Sequence, residues 1–236
     1  MGVPEKRRFI IAIDGPSGAG KSTVGKALAK RLGFTYIDTG AMYRAVALKA
    51  KEKSIRAEDE EGLSGLAALL HIDFLNRDGE TRVVCDGEDV TESIRTPEIS
   101  LLASDISKKQ GVREALVNQQ REMGRGGEVV LDGRDIGTVV FPHAEAKFYL
   151  DAKPEERARR RFRELVEKQA KVDFQETREE VMERDRNDMT RAISPLRKAE
   201  DAVAIDSTDR SVDEVVEEMV RIVMLRVRTA GCSKGE

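Results

Sequence analysis

Eight consecutive residues, Gly15-Pro16-Ser17-Gly18-Ala19-Gly20-Lys21-Ser22, have the spacing GxxxxGK followed by Ser or Thr. Glycines let a backbone turn tightly and aim successive N–H groups inward, where they and the start of a following helix can hold phosphate oxygens. Lys21 would reach the β- and γ-phosphates of a nucleoside triphosphate, and Ser22 offers a hydroxyl to Mg²⁺. The segment from Gly15 to Thr23 is the candidate triphosphate site, with Lys21 nearest the chemistry. Asp14, just before it, is placed to orient a water or Lys21. Such a loop alone does not separate a kinase from a GTPase switch or a motor ATPase. No NKxD sequence for guanine recognition is present, and the chain is short for a motor, so a second-substrate pocket is the discriminating feature.

The loop needs a strand before it and a helix after it, and the pattern supplies both. Residues 9–13 form an apolar run, and Val24, Leu28 and Leu32 repeat at fourfold spacing through residues 21–32. Residues 34–37 read as a second strand and 41–53 as a helix. Strands return at 129–131, 146–150 and 203–205, before a last helix over 212–227. Alternating strands and helices predict an α/β fold whose parallel sheet carries helices on both faces. The middle breaks the rhythm: short strands at 72–76, 81–85 and 88–90, joined by Arg77-Asp78-Gly79 and Asp86-Gly87, predict an antiparallel insert over about 70–96. Pro97 opens a helix that carries Ser104, and 112–125 forms another. Residues 153–186 alternate in charge like a solvated helical face. A single domain of 236 residues follows, with a core over 8–69 and 97–228 and a frayed tail over 229–236.

Composition narrows the function. Hydrophobic residues make up 39% and charged residues 36%, which suits a globular chain with a charged exterior. The 41 Lys and Arg against 44 Asp and Glu leave a net charge of -3, unlike a dedicated nucleic-acid binder, so any basic site must be local. Cys85 and Cys232 offer neither a disulfide framework nor zinc-ligand spacing. His71 and His143 have no matching catalytic partner in the sequence. No apolar leader follows the charged first residues, and no window approaches a membrane span, so a cytoplasmic location is expected.

Four motifs carry a family resemblance: Asp14-Gly-Pro-Ser-Gly-Ala-Gly-Lys-Ser-Thr23, Asp38-Thr-Gly-Ala-Met-Tyr-Arg44, Asp132-Gly-Arg-Asp-Ile-Gly-Thr138 and Arg184-Asp-Arg-Asn-Asp-Met-Thr-Arg191. In order and spacing they resemble bacterial cytidylate kinases, from about residue 9 to the last helix. Thr39 keeps a hydroxyl where relatives can carry Ser, and Ser22 stands where some carry Gly.

Thr39, Tyr43 and Arg44 fall near a helix start, where a hydroxyl, an aromatic ring and a guanidinium can face an acceptor phosphate and its nucleoside. Asp132 sits at a Walker-B-like position after an apolar strand and would hold Mg²⁺ through water, while Arg134 would bind the acceptor phosphate. The resemblance assigns Asp135, Arg113 and Ser104 to the cytosine ring, Asp188 and Arg184 to the pentose, and Arg191 to phosphate. Arg184, Asp188 and Arg191 share one face if the helix runs through them. Arg157, Arg160 and Arg161 also share a face, and similar kinases place such arginines on a lid, here about 153–186, that closes over ATP. Arg157 then binds ATP, while Arg160 and Arg161, with Lys21 and Arg134, neutralise the transferring charge. The resemblance implies a monomer that phosphorylates CMP and dCMP from ATP with Mg²⁺. Another small-molecule kinase, a nucleotide-dependent switch and an RNA-binding P-loop protein remain the alternatives.

Overall fold

The computed structural model describes residues 9–77, 80–167 and 171–232. In chain order the first half reads β1 (Ile10–Asp14), α1 (Lys21–Leu32), β2 (Thr35–Asp38), α2 (Thr39–Glu52), α3 (Glu60–Leu69), β3 (Ile72–Arg77), β4 (Glu80–Cys85) and β5 (Glu88–Asp89). The second half adds α4 (Pro97–Ile106), α5 (Gln110–Met123), β6 (Val129–Gly133), β7 (Ala146–Asp151), α6 (Pro154–Glu167), α7 (Phe174–Thr190), β8 (Val203–Asp206) and α8 (Val212–Cys232). Five strands form one sheet in the order β2-β6-β1-β7-β8, and three form another in the order β3-β4-β5.

Two compact units emerge. One comprises the described residues up to Thr35 and those from Gly126 on; the other runs from Tyr36 to Arg125. In the first, β1 lies parallel to β6 on one side and to β7 on the other, and β7 is parallel to β8. Every residue of β6 and four of the five in β1 are buried, as expected when helices cover a parallel sheet. Helix α1 packs against β6 and α8. The β1/β6 register sets Asp14 beside Gly133, so the carboxyl ends of these strands present the loop after β1 and the turn after β6 together.

In the second unit, α2, α3, α4 and α5 pack around an apolar cluster that includes Met42, Leu63, Ile72, Ile94, Ile106 and Leu116. The small sheet is antiparallel, with Ile72 opposite Cys85 and Val84 opposite Asp89. Its first turn residues, Asp78 and Gly79, lie outside the described residues. Helix α2 begins at Thr39, two residues earlier than the apolar pattern suggests, because the Asp38 carboxylate accepts from Ala41 N–H at 2.8 Å and caps it. Thr96 caps α4 in the same way, with Pro97 as the first helical residue.

Three features depart from the sequence reading. Helix α3 was not anticipated: Gly62 and Gly65 weaken its pattern, but Asp59 accepts from Gly62 N–H at 2.8 Å, and Leu63, Leu66 and Ala67 bury its inner face. Helix α7 stops at Thr190, so Arg191 follows it with extended geometry (φ -59°, ψ 142°) and does not continue its face. The last helix runs to Cys232, so any frayed tail starts no earlier than residue 233, outside the described residues. Extending a formed helix adds a hydrogen bond for each residue fixed, which favours continuing through 229–232. Among the described residues, no helix is long and apolar enough to cross a membrane.

Candidate active site

The loop after β1 is shaped by close backbone approach. Gly15 has φ 152°, and a Cβ there would stand 2.0 Å from the Leu150 carbonyl oxygen. Gly18 has φ 74°, and its Cβ would stand 2.8 Å from the Arg157 carbonyl oxygen, so neither position accepts a side chain. Lys21 opens α1 and is buried, and its Nζ donates to the Pro16 carbonyl across the loop at 2.7 Å. Burial, reinforced by the positive charge of Arg134, pushes its pKa down to about 7 despite the opposing pull of Asp132 and Asp188. A cation held this way would gain its counter-charge from a polyphosphate. Beside it, the Ser22 hydroxyl donates to the Asp132 carboxylate at 3.0 Å, joining the start of α1 to the end of β6.

Behind the loop, α6 and α7 grip the Ser17 peptide. The Arg157 Nη1 donates to the Ser17 carbonyl at 3.1 Å and pairs with Asp185, while its Nε donates to the Ala152 carbonyl at 2.9 Å. Asp185 Oδ1 accepts from the Ser17 N–H at 3.2 Å. Arg160 reaches the same loop through Ser207: its guanidinium donates to the Ser207 hydroxyl at 2.9 Å and the Ser207 carbonyl at 2.7 Å, and that hydroxyl donates to the Ala19 carbonyl at 3.0 Å. Arg161 instead pairs with Glu164 at 3.0 Å.

The turn after β6 gathers a second set of charges. Arg134 Nε donates to Asp188 at 2.7 Å, and Arg191 lies 3.8 Å from Asp188 and 3.7 Å from Asp135. Burial works against charge on Asp188, but Arg134 and then Arg184 outweigh it and hold the carboxyl below its usual range. Asp14 has both carboxylate oxygens occupied, by the N–H of Ile136 at 2.8 Å and of Gly137 at 2.7 Å. It therefore clamps the π-helical turn Ile136–Val140, which begins directly after Asp135, rather than hydrogen-bonding Lys21. Burial drives its pKa up to about 7.

In the second unit, Thr39 is buried at the start of α2, and Arg44 donates to Asp38 at 2.9 Å. The Nε of Arg44 is buried without a hydrogen-bond partner, which suits a guanidinium awaiting an anion. The Arg113 guanidinium lies 5.6 Å from the centre of the Tyr43 ring and donates to the Ser107 carbonyl at 3.2 Å. Ser104, on α4, is half-buried, and its carbonyl accepts from the Ser107 hydroxyl.

The first unit thus brings together Lys21, Ser22, Asp132, Arg134, Asp135, Asp188 and Arg191, while the second carries Thr39, Tyr43, Arg44, Ser104 and Arg113. Sequence reasoning missed the structural roles of three residues. Asp185 was hidden in a run of alternating charges, Ser207 follows a strand with no motif, and Asp14 was expected to face water or Lys21. Only the position of Asp14 at the strand end could have signalled its importance.

Residues 11–225 match the family model for cytidylate kinase. A cytidylate kinase of Geobacter sp. (strain M21) is 54% identical over 228 residues, covering 96% of this chain and 97% of the relative. One from Geobacter sulfurreducens is 52% identical over 228 residues, covering 97% and 98%. Among solved structures, a gluconokinase from Sinorhizobium meliloti 1021 aligns with TM-score 0.50 at 14% identity over 96% of this chain and 98% of that one. An uncharacterized protein from Eubacterium ventriosum aligns with TM-score 0.52 at 14% identity over 92% and 98%. Those two likenesses speak to the fold alone. With the four motifs in place and relatives of about this identity along nearly its whole length, the chain belongs to the cytidylate kinase family.

Proposed function

We propose that the protein transfers the γ-phosphoryl group of ATP directly to CMP and dCMP, yielding CDP and dCDP with ADP. The observation that carries this reading is the family match across residues 11–225. The first unit supplies what such a transfer requires. The loop from Gly15 to Thr23 holds the ATP phosphates, and Lys21 meets the charge that develops on the transferring group. Arg160 and Arg161 stand on α6, in the lid segment, where guanidiniums would neutralise further charge as that segment closes and excludes water.

The acceptor needs residues of its own. Arg134, Arg191 and Arg44 take its phosphate, Arg184 and Asp188 its sugar, and Asp135, Arg113 and Ser104 its base, with Thr39 and Tyr43 beside them. Cytosine presents an N4 amino donor beside N3 and O2 acceptors, so a carboxylate and a guanidinium suit it, whereas uracil reverses the first two positions.

The residues also fit a magnesium ion. The Ser22 hydroxyl and the Asp132 carboxylate are hard oxygen donors 3.0 Å apart, and a cation that keeps several waters and binds phosphate oxygens needs few protein ligands. Among the described residues, no group of three or more His, Cys, Asp or Glu is gathered for a different metal centre. Bound by Ser22 and, through water, Asp132, the ion would offset charge on the β- and γ-phosphates.

A panel of CMP, dCMP, UMP, AMP, GMP and shikimate, each with ATP and Mg²⁺, tests the reading. CMP and dCMP should give the highest kcat/KM, with one ADP formed per CDP or dCDP. Acceptor-independent ATP hydrolysis, or preference for another acceptor, would overturn it.

A further inference from the structure

We propose that Asp185, acting with Arg157, is a positioning residue for the ATP phosphate loop; this rests on the reading of Gly15 to Thr23 as the ATP site. Asp185 lies between Arg184 and Asp188, which are assigned to the acceptor sugar, and by sequence alone it would join them. Its contacts place it elsewhere. It is 7% exposed, one carboxylate oxygen accepts from the Ser17 N–H at 3.2 Å, and the other is paired with Arg157. Arg157 is 5% exposed and donates to the Ser17 carbonyl at 3.1 Å and to the Ala152 carbonyl at 2.9 Å. The N–H of Ser17 is thus held from α7 and its carbonyl from α6.

That grip matters because a phosphate loop binds with backbone N–H groups, and their directions are set by the peptides on either side. The peptides flanking Ser17 connect Pro16, whose carbonyl receives Lys21, to Gly18, which sits at φ 74° against the Arg157 backbone. With both polar groups of Ser17 engaged, these peptides are held from turning, and the amides that follow are preorganised for phosphate rather than ordered at the moment of binding. Asp188, three residues further along α7, pairs with Arg134 at 2.7 Å. One helix therefore serves the donor loop with Asp185 and the acceptor-side arginine with Asp188, one turn apart.

The competing explanation is that the Asp185–Arg157 pair only fastens α6 to α7. The two differ in which kinetic constant moves. For Asp185→Asn, the ATP KM should rise about tenfold and the CMP KM should stay within about twofold. Binding of a fluorescent ATP analogue without acceptor should weaken by the same factor as the ATP KM. If lone Arg157 prevents folding, the paired variant Asp185→Asn/Arg157→Gln removes both charges, and it should fold and still show weakened ATP binding. An unchanged ATP KM in a folded variant would reduce the pair to a fastener. A rise in the CMP KM with ATP unaffected would place Asp185 in the acceptor site. Either result overturns the proposal. Weakened analogue binding in the variant, even if the wild type phosphorylates no cytidine nucleotide, would uphold the positioning role while removing the acceptor reading.

Discussion

The two units of the chain use burial in opposite ways. Among the described residues, the first buries Asp14, Lys21, Asp132, Asp135, Lys147, Arg157, Asp185 and Asp188, whereas Arg113 is the charged side chain buried in the second. The second instead closes around an apolar cluster of Leu, Ile, Val, Ala and Met side chains. Fully burying one such large aliphatic side chain stabilises by about 1.5–3 kcal/mol, while a buried charge costs several kcal/mol unless it is paired. The first unit meets that cost with pairs: Arg134 with Asp188, Arg157 with Asp185 and Lys147 with Asp201. Lys21, held by a carbonyl and depressed in pKa, and Asp14, held by two backbone N–H groups and raised in pKa, are met differently. The first unit thus concentrates buried charge around its phosphate-loop motif, and the second keeps the ordinary construction of a hydrophobic core.

The contrast can be broken at its strongest point. Lys21→Ala should lower kcat by roughly 10²-fold or more while circular dichroism reports an unchanged fold, because its charge counts most as the phosphoryl group moves. Full kcat with ATP and CMP in that variant would remove Lys21 from the chemistry.

A smaller effect separates donor from acceptor within the first unit. Asp188→Ala removes the partner of Arg134 and the carboxylate assigned to the sugar, so the KM for CMP and dCMP should rise about tenfold and the KM for ATP should hold within about twofold. Steady-state kinetics with each substrate varied in turn would show it. A weakened ATP KM alone would move Asp188 to the donor side.

The last effect is on stability rather than turnover and concerns the clamp at Asp14. Its folded pKa of about 7 lies above the ordinary 3.8, so the folded state holds a proton that the unfolded state releases. The stability this provides is complete below about pH 4 and is lost as pH rises towards 7. Asn does not titrate, and a pKa difference of about 3 between the two states is worth roughly 4 kcal/mol, so the Tm of Asp14→Asn relative to wild type should rise between pH 4 and pH 8, by at most about 8–16 °C. Parallel melting curves across that range would show that Asp14 does not titrate in this way.

Much of this was legible because some residues act locally. Lys21–Leu32 was read as a helix to the residue, since the loop motif fixes its start and Val24 and Leu28 mark its buried face. The small sheet showed in its turn residues and β-branched alternation. What spacing did not show depended on contacts distant in sequence. Nothing near Asp185 distinguishes a carboxylate that will meet Ser17, 168 residues away, from the solvated acids around it. Arg157 has the spacing expected of a lid arginine over ATP, and spacing alone does not show that it is buried against the loop backbone. Arg191 shares a helical spacing with Asp188 but lies past the helix end, where it reaches Asp135 at 3.7 Å as well as Asp188 at 3.8 Å.

On the proposed reading, Asp135 and Arg113 would select the base, and Lys21 with its neighbouring charges would carry the transfer. The direct measurement is the ratio of kcat/KM for CMP over UMP in wild type, Asp135→Ala and Arg113→Met. Unmatched polar groups in a partly dry pocket cost about 1–3 kcal/mol each, so the wild-type ratio should be roughly 10². Both variants should lower it by about tenfold or more, through loss of CMP turnover, while still binding ATP. A ratio unchanged in folded, ATP-binding variants would contradict the account, because neither side chain would then be reading the base.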